Sequence, residues 1–145
     1  MISTIKNAID AKLQALVVAN TLGAATITDI RKDPLAEDIP GDPHAFLMPP
    51  AVEGVIEDNR TIIRTYTFDI MIVFKALNLT GTSQVESTIE AVLEDFDNDP
   101  TLGGTCMAGI PPTSSAPAPI QHAGQDLIIA IIQVQAKEVV ELTFS

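Results

Sequence analysis

The chain has 145 residues, 46% of them apolar, and this combination predicts a folded domain with a substantial core and excludes a disordered acidic tail. Eight basic residues stand against 19 acidic ones, so the net charge is −11, and the basic residues are scattered along the chain. Because nucleic-acid affinity rests largely on neutralising phosphates, sequence-general DNA binding by the isolated chain is not expected.

We expect neither a secretion signal nor a membrane span. The N-terminal residues lack a basic region followed by an apolar stretch. The longest apolar run, Leu127 to Ile132, is far shorter than the roughly 20 residues of a membrane helix. A single cysteine, Cys106, excludes an intramolecular disulfide and a cysteine-based zinc cage. These features favour a soluble protein made in a reducing cytoplasm.

The first predicted element is a helix from Ser3, its expected cap, to about Asn20, with Gly23 just beyond its end. Its apolar stripe recurs at helical spacing and comprises Ile5, Ile9, Leu13, Leu16 and Val17. A short strand is predicted from Ala25 to Ile30. Residues 33–43 contain three prolines, which lack a backbone donor, and therefore predict an exposed loop.

Strands dominate the next part of the chain. Short strands are predicted at Ala45 to Met48 and Ala51 to Ile56, followed by a turn over residues 57–59. The clearest strand runs from Thr61 to Lys75, because its apolar and polar residues alternate. Its length of about fifteen residues exceeds the usual strand, so one end is expected to project beyond the core sheet.

A second helix is predicted from Ser83 to about Phe96. Ser83 and Glu86 form the S-x-x-E capping pattern, and the helix then has one apolar and one acidic face. The apolar stripe consists of Val85, Ile89, Val92, Leu93 and Phe96. The acidic face consists of Glu86, Glu90, Glu94 and Asp97, and the simplest interpretation is a solvated surface, with a basic partner or an electronegative channel as the alternative.

The remaining chain is predicted to be strand and loop. Thr101 to Ile110 leads through a tight turn at Gly103 and Gly104 into a strand, and residues 111–120, with four prolines, form an extended loop. A final strand runs from Asp126 to Lys137, continued or followed by Val139 to Phe144. The order of elements predicts a single α+β domain over residues 1–145, with two helices packed on a mostly antiparallel β-sheet.

No recognisable catalytic, cofactor-binding or metal site follows from the residues. The two histidines, His44 and His122, are far apart and lie beside proline-rich loops, so a metal site or small enzyme site at Asp42 and His44 is only an alternative to two exposed histidines. Cys106 has no histidine nearby in sequence and is expected to be a small residue buried in a strand. Gly103 and Gly104 lack the lysine of a phosphate-binding loop.

Several segments in order resemble the tail terminator (tail completion, or minor tail) proteins of long-tailed bacteriophages. These are the first helix, the proline-interrupted loop, the long strand around Arg64 to Phe74, and the second helix with the segment that follows it. That segment, Asp97-Asn-Asp-Pro-Thr-Leu-Gly-Gly-Thr105, is the most similar to the family. The resemblance spans nearly the whole chain in order and length, but its only compact motif has nine residues.

The resemblance implies a non-enzymatic structural subunit of the virion, assembled in the host cytoplasm. Such proteins form a ring, typically a hexamer, on the head-proximal end of the tail tube, stop its polymerisation and join it to the neck proteins of the head. The implied partners are other copies of the chain, the tail tube protein and a head or neck connector, with DNA only passing through the lumen. No cofactor and no catalytic residue is implied.

The long proline-rich loop from Pro111 to Pro119 departs from a compact member of this family, so another head–tail connection subunit remains an alternative. A ligand-binding module or a small enzyme at the Asp42 and His44 loop is the alternative from another class. If the chain forms a ring, the near end of the long strand and both proline-rich loops are the expected subunit contacts. The residues concerned are Thr61, Ile62, Ile63, Arg64, Pro40, Pro43, Pro111 and Pro112.

Overall fold

A computed structural model describes residues 2–18, 24–27, 44–48, 50–75, 83–104, 106, 111–122 and 124–141. Two helices and seven strands lie within these ranges. In chain order they are α1 (Ile2–Val18), β1 (Ala24–Ile27), β2 (His44–Leu47), β3 (Ala51–Ile56), β4 (Thr61–Lys75), α2 (Ser83–Asp97), β5 (Thr113–Ser114), β6 (Ala118–His122) and β7 (Gln125–Glu141). This arrangement confirms the predicted α+β class.

The seven strands form one sheet in the order β1-β2-β4-β7-β5, with β3 paired to β4 and β6 paired to β7. Only β1 and β2 pair in parallel; the other pairs are antiparallel. The two longest strands pair along fifteen positions, from Thr61 opposite Glu141 to Lys75 opposite Leu127. The paired strands β4 and β7 therefore form the centre of the sheet. The pairing is continuous to Glu141, with no bulge in β7.

Both helices bury their predicted stripes on one face of the sheet. In α1, Ile5, Ile9 and Leu13 are fully buried and Leu16 nearly so, while the side chain of Val17 lies outside the described residues. The helix begins at Ile2, so the predicted cap at Ser3 is wrong. No helix within the described ranges is long and apolar enough to cross a membrane.

The second helix matches its predicted bounds and faces. Val85, Ile89, Val92 and Phe96 are buried, and Leu93 is partly buried against the same core. The four acidic residues of the opposite face are all exposed: Glu86, Glu90, Glu94 and Asp97. This exposure supports the interpretation as a solvated face, because exposed carboxylates keep the hydration that burial without partners would remove.

The helices and the sheet enclose the main core. From β4, alternate residues point into it, because successive side chains of a strand face opposite sides. The buried residues of the sheet in this core are Ala45, Leu47, Tyr66, Phe68, Ile70, Ile72, Phe74, Ala130, Ile132, Val134 and Ala136. The alternation predicted from the sequence is thereby confirmed for the long strand.

A second apolar cluster lies on the opposite face of the same sheet. Phe46, Val73 and Leu127 are buried there, with Met48, Met71, Ile120 and Ile129 partly buried against them. His44 is also 1% exposed, and its ring contacts that of Phe46 with centroids 4.4 Å apart. The expectation of an exposed loop histidine is therefore wrong for His44, which occupies a buried position in β2.

The segment directly after α2 is a turn, and most of the strand predicted to follow it, up to Ile110, lies outside the described residues. Leu102, Gly103 and Gly104 have φ values of 49°, 69° and 86°, a left-handed conformation incompatible with a strand. Leu102 is nevertheless 5% exposed, so it anchors the turn in the main core. Cys106 lies in a bend, partly buried, and its thiol donates to the carbonyl of Thr101 over 3.5 Å. The predicted tight turn at the glycines is confirmed, but the buried strand position of Cys106 is wrong.

Residues 111–120, predicted as a loop, include two short strands paired to β7. Thr113 and Ser114 lie opposite Gln133 and Ile132, and β6 pairs from Ala118 to His122. Pro119 lies in β6, which pairs only with β7 among the described residues, and proline is tolerated in such an edge strand because its missing backbone donor need not pair on both sides.

Candidate assembly surface

The β3–β4 hairpin and the end of β7 extend beyond the helices as a three-stranded projection, which we call the arm. It comprises residues 51–65 and 137–141, and none of these residues is buried. Directly behind it, Tyr66 and Ala136 pair and are both buried, at 2% and 0% exposure. The main core therefore ends at this pair, and the predicted projection of the long strand is confirmed.

Each face of the arm carries one row of apolar residues. Residues directly opposite in paired strands point to the same side, so the register defines rows across all three strands. One row is Ile56, Ile62 and Val140, on the side of the helices; the adjacent row on the other side is Val55, Ile63 and Val139. A strand at the surface normally presents one polar face to water. An apolar row on each face makes the arm a candidate surface for contact with another chain.

The apolar side chains of the arm are largely exposed to solvent. All six residues of β3 are exposed, and Ile56 is 74%, Val55 59%, Val52 50% and Val139 45% exposed. Full burial of such side chains is worth about 1.5–3 kcal/mol each, so covering the exposed part contributes about 1 kcal/mol per side chain. Large exposed apolar patches are uncommon on monomers and mark interaction sites.

A tight loop holds the tip of the arm in register. The backbone N–H of Glu57 donates to the carbonyl of Thr61 over 3.0 Å, closing the hairpin. The backbone N–H of Arg60 donates to Asp58 Oδ1 over 2.8 Å, and this bond holds the pKa of the Asp58 carboxyl below its ordinary value of 3.8. The loop therefore fixes the rows of apolar residues without requiring any contact from the helices.

Charged residues of the arm also lie in rows. Arg64 lies opposite Glu138, whose carboxylate accepts a hydrogen bond from the Tyr66 hydroxyl over 3.3 Å. On the other face, Glu53 and Lys137 lie on either side of Thr65, at the two outer strands of the arm. One edge thus presents an acid and the other a base at the same level.

Not all of the predicted contact residues meet in the structure. Thr61, Ile62, Ile63 and Arg64 all belong to the arm. Pro40 and Pro43 lie outside the described residues. Pro111 and Pro112 line a shallow cleft, with residues from the end of α2 and with Val134 and Gln135 of β7. Since Gln135 and Glu141 are six residues apart on one strand, this cleft lies roughly 20 Å from the tip of the arm.

Residues of β3 and of the end of β7 also belong to the arm, although they are not among the contact residues predicted from the sequence. The available signal was the apolar pattern of β3, in which Val52, Val55 and Ile56 do not alternate. Adjacent apolar residues in a short strand are typical of a strand apolar on both sides, whether buried or covered by a partner. The pair Val139 and Val140 carries the same signal.

The alternatives of a metal site or a small enzyme site involve residues that the structure describes only in part. The described residues contain no cluster of three or more His, Cys, Asp or Glu residues that could hold a metal ion. The alternative site at Asp42 and His44 is not described as a whole, because Asp42 lies outside the described residues. His44 is buried in β2. A buried ring in a strand is poorly placed to meet a substrate from solvent.

No known family model matches the sequence, and no curated protein is significantly similar to it. Among solved structures, a similar chain belongs to a structure described as the virion of a native gene transfer agent (GTA) particle. The two chains are 13% identical over 92% of this chain and 94% of that chain, with a TM-score of 0.48. A likeness at this level does not establish a function.

Proposed function

We propose that this chain is a non-enzymatic structural subunit of a phage or phage-like particle, of the tail terminator type. Copies of it join through the arm into a ring on the head-proximal end of the tail tube, where the ring stops tube growth and contacts the neck of the head. The observation that carries the proposal is the arm, which has an exposed apolar row on each face and lies outside the core of its own chain.

The arm supports assembly because a ring needs a heterologous contact, in which two different surfaces of the same chain meet. A projection with an apolar row on each face and two different outer strands offers different surfaces on its two sides. The resemblance of the sequence to tail terminators supports the choice of ring.

The segment most similar to the family has a structural role in this chain. Asp99 accepts a hydrogen bond from the N–H of Gly103, and Leu102 anchors the turn in the core. This geometry accounts for the pattern of Asp, Leu and two glycines without any catalytic function. The net charge of −11 fits a ring through which DNA passes without binding.

Deleting the gene for this chain from the genome that encodes the phage or phage-like particle tests the proposal. Electron microscopy is expected to show heads and tails that are not joined, with tails of irregular length, and added purified protein is expected to restore joining. Unjoined tails of uniform length would instead support a neck or head-completion subunit. Particles with normal, joined tails would contradict both versions.

A further inference from the structure

The two outer edges of the arm complement each other. No described residue pairs with the outer edge of β3, and none pairs with the outer edge of β7 from Ala136 to Glu141. Open edges with unpaired backbone groups are templates for another strand, and proteins usually protect them with charges or proline. Here β3 contains one charged residue, Glu53, and no proline.

From this geometry we infer that the β3 edge of one copy pairs with the β7 edge of the next, placing Glu53 beside Lys137 of the neighbouring copy. The inference deepens the proposed ring, since it names the contact through which copies join. Both β3 and β7 run antiparallel to β4 and therefore run parallel to each other. A rotation that repeats the arm thus brings the two edges together as a parallel pair.

One register between the two edges places similar or complementary residues side by side in each of these rows. With Glu53 beside Lys137, Val55 lies beside Val139 and Ile56 beside Val140, so apolar side chains meet on both faces. A shift by one residue would place each side chain opposite the wrong face. A shift by two would keep the faces but separate Glu53 from Lys137. The charge pair therefore selects one register.

A second copy fits these edges better than an unrelated strand does. A strand that docks on β3 must be apolar on both faces and carry a base at the level of Glu53. The β7 edge has both properties, with Val139 and Val140 on opposite faces and Lys137 at that level. Pairing is expected to end beyond these rows, because Glu57 and Glu141 are both acidic.

Two charge reversals test the contact. Glu53→Lys places two lysines together at every contact, and Lys137→Glu places two glutamates together, so each variant alone is expected to assemble about tenfold more weakly or worse. In an equimolar mixture, the lysine introduced at position 53 of one variant meets the glutamate introduced at position 137 of the other, and the second kind of contact is the native pair. The mixture is therefore expected to assemble, with the two variants alternating.

Native mass spectrometry, with one variant labelled with ¹⁵N, counts each variant in the mixed assembly, and equal numbers are expected. This readout separates a contact between copies from one within a copy, because mixing does not change either chain internally. Glu90→Lys, the same charge change on the exposed face of α2, is the matched control and is expected to assemble like the wild type.

The outcomes separate the contact from the function. If the wild type assembles and both single variants do so equally well, or if the mixture stays dissociated, the edge pairing is wrong while the ring is retained. If the wild type assembles neither alone nor on tail tubes, the ring and the edge pairing are both wrong.

Discussion

The ammonium of Lys12 on α1 lies 3.2 Å from Asp99 Oδ2, just beyond the end of α2. The same ammonium lies 3.5 Å from Asp95 Oδ2, donates to the Asp95 carbonyl over 3.3 Å, and stands 5.7 Å from the centre of the Phe96 ring. One lysine thus ties both helices and the following turn together in a chain with few cations. The side chain of Lys12 is only 16% exposed, so solvent screens these contacts less than it would at the surface.

Replacing Lys12 with methionine is expected to lower the free energy of unfolding by about 1–2 kcal/mol, because the charged hydrogen bonds are lost while the aliphatic stem is kept. Both aspartates are more than one-third exposed and remain hydrated, which limits the loss. Denaturant titration measures the change. Arg60→Met removes an exposed cation at the tip of the arm and is the control, expected to change stability by less than about 0.5 kcal/mol. Equal effects of the two variants would contradict the role of Lys12.

Acid is expected to weaken the turn through Asp99. The N–H of Gly103 first, and Lys12 second, hold the pKa of this carboxyl below its ordinary value of 3.8. Because the pKa is lower in the folded chain than in the unfolded one, the stabilisation is complete above about pH 4 and is lost as the pH falls through the folded pKa. Asp99→Asn removes the charge and keeps an acceptor oxygen.

Thermal unfolding of the wild type and Asp99→Asn between pH 2 and pH 7 tests this expectation. The two curves should differ most above pH 4 and converge below it. A difference that stays constant with pH would show that the charge of Asp99 does not stabilise the fold.

Leu102 combines a buried side chain with a left-handed backbone. Its replacement by alanine and by glycine should therefore give an unusual order of stabilities. Leu102→Ala loses core contacts and is expected to destabilise the fold by about 2–4 kcal/mol. Leu102→Gly loses the same contacts but relieves a strain of about 1 kcal/mol at φ 49°, so it should be no less stable than the alanine variant. At Gly103, φ is 69° and, apart from its chain neighbours, no atom of the described residues lies within 4 Å of an added Cβ, so alanine should cost about 1 kcal/mol from backbone strain alone. A clearly less stable Leu102→Gly variant would contradict the strain argument.

Adding a charge to the tip of the arm should abolish assembly without unfolding the chain. Ile56 is 74% exposed, so Ile56→Lys is expected to change the free energy of unfolding by less than about 0.5 kcal/mol. In an assembly the same lysine lies among apolar side chains, and burying an unpaired charge is strongly unfavourable. Light scattering measures assembly, and circular dichroism measures folding.

The matched control is Ala15→Lys, which adds the same charge at an exposed position of α1, away from the arm. It should assemble like the wild type. Assembly by Ile56→Lys at the wild-type concentration would exclude the tip of the arm from the contact.

Local patterns were sufficient to predict the elements in which one face is buried. The bounds of β4 and α2 follow from alternation in one case and from a helical stripe after Ser83 in the other. The position of His44 was not predictable in this way, because its burial depends on the second apolar cluster formed by residues distant in sequence, such as Val73 and Leu127. The left-handed backbone of Leu102 is not predictable either, because the two glycines after it signal the turn while a leucine gives no direct signal for this conformation.

The make-up of the arm is only partly predictable for a related reason. The length of β4 indicates a projecting end, and Thr61 to Arg64 lie in the arm, where their role as subunit contacts stays a prediction. Which strands flank that end is a matter of pairing, so the exposed residues of β3 and the level of Glu53 with Lys137 emerge only from the register. The contact residues proposed at Pro40 and Pro43 stay predictions.

The most direct test of the central claim is the mass of the purified protein in solution across a concentration series, measured alone and after adding tail tubes. The account predicts a discrete closed assembly, either free or on the tube end, with a hexamer at six times the 15.4 kDa of one chain. A protein that remains monomeric at every concentration and does not bind the tubes would contradict it.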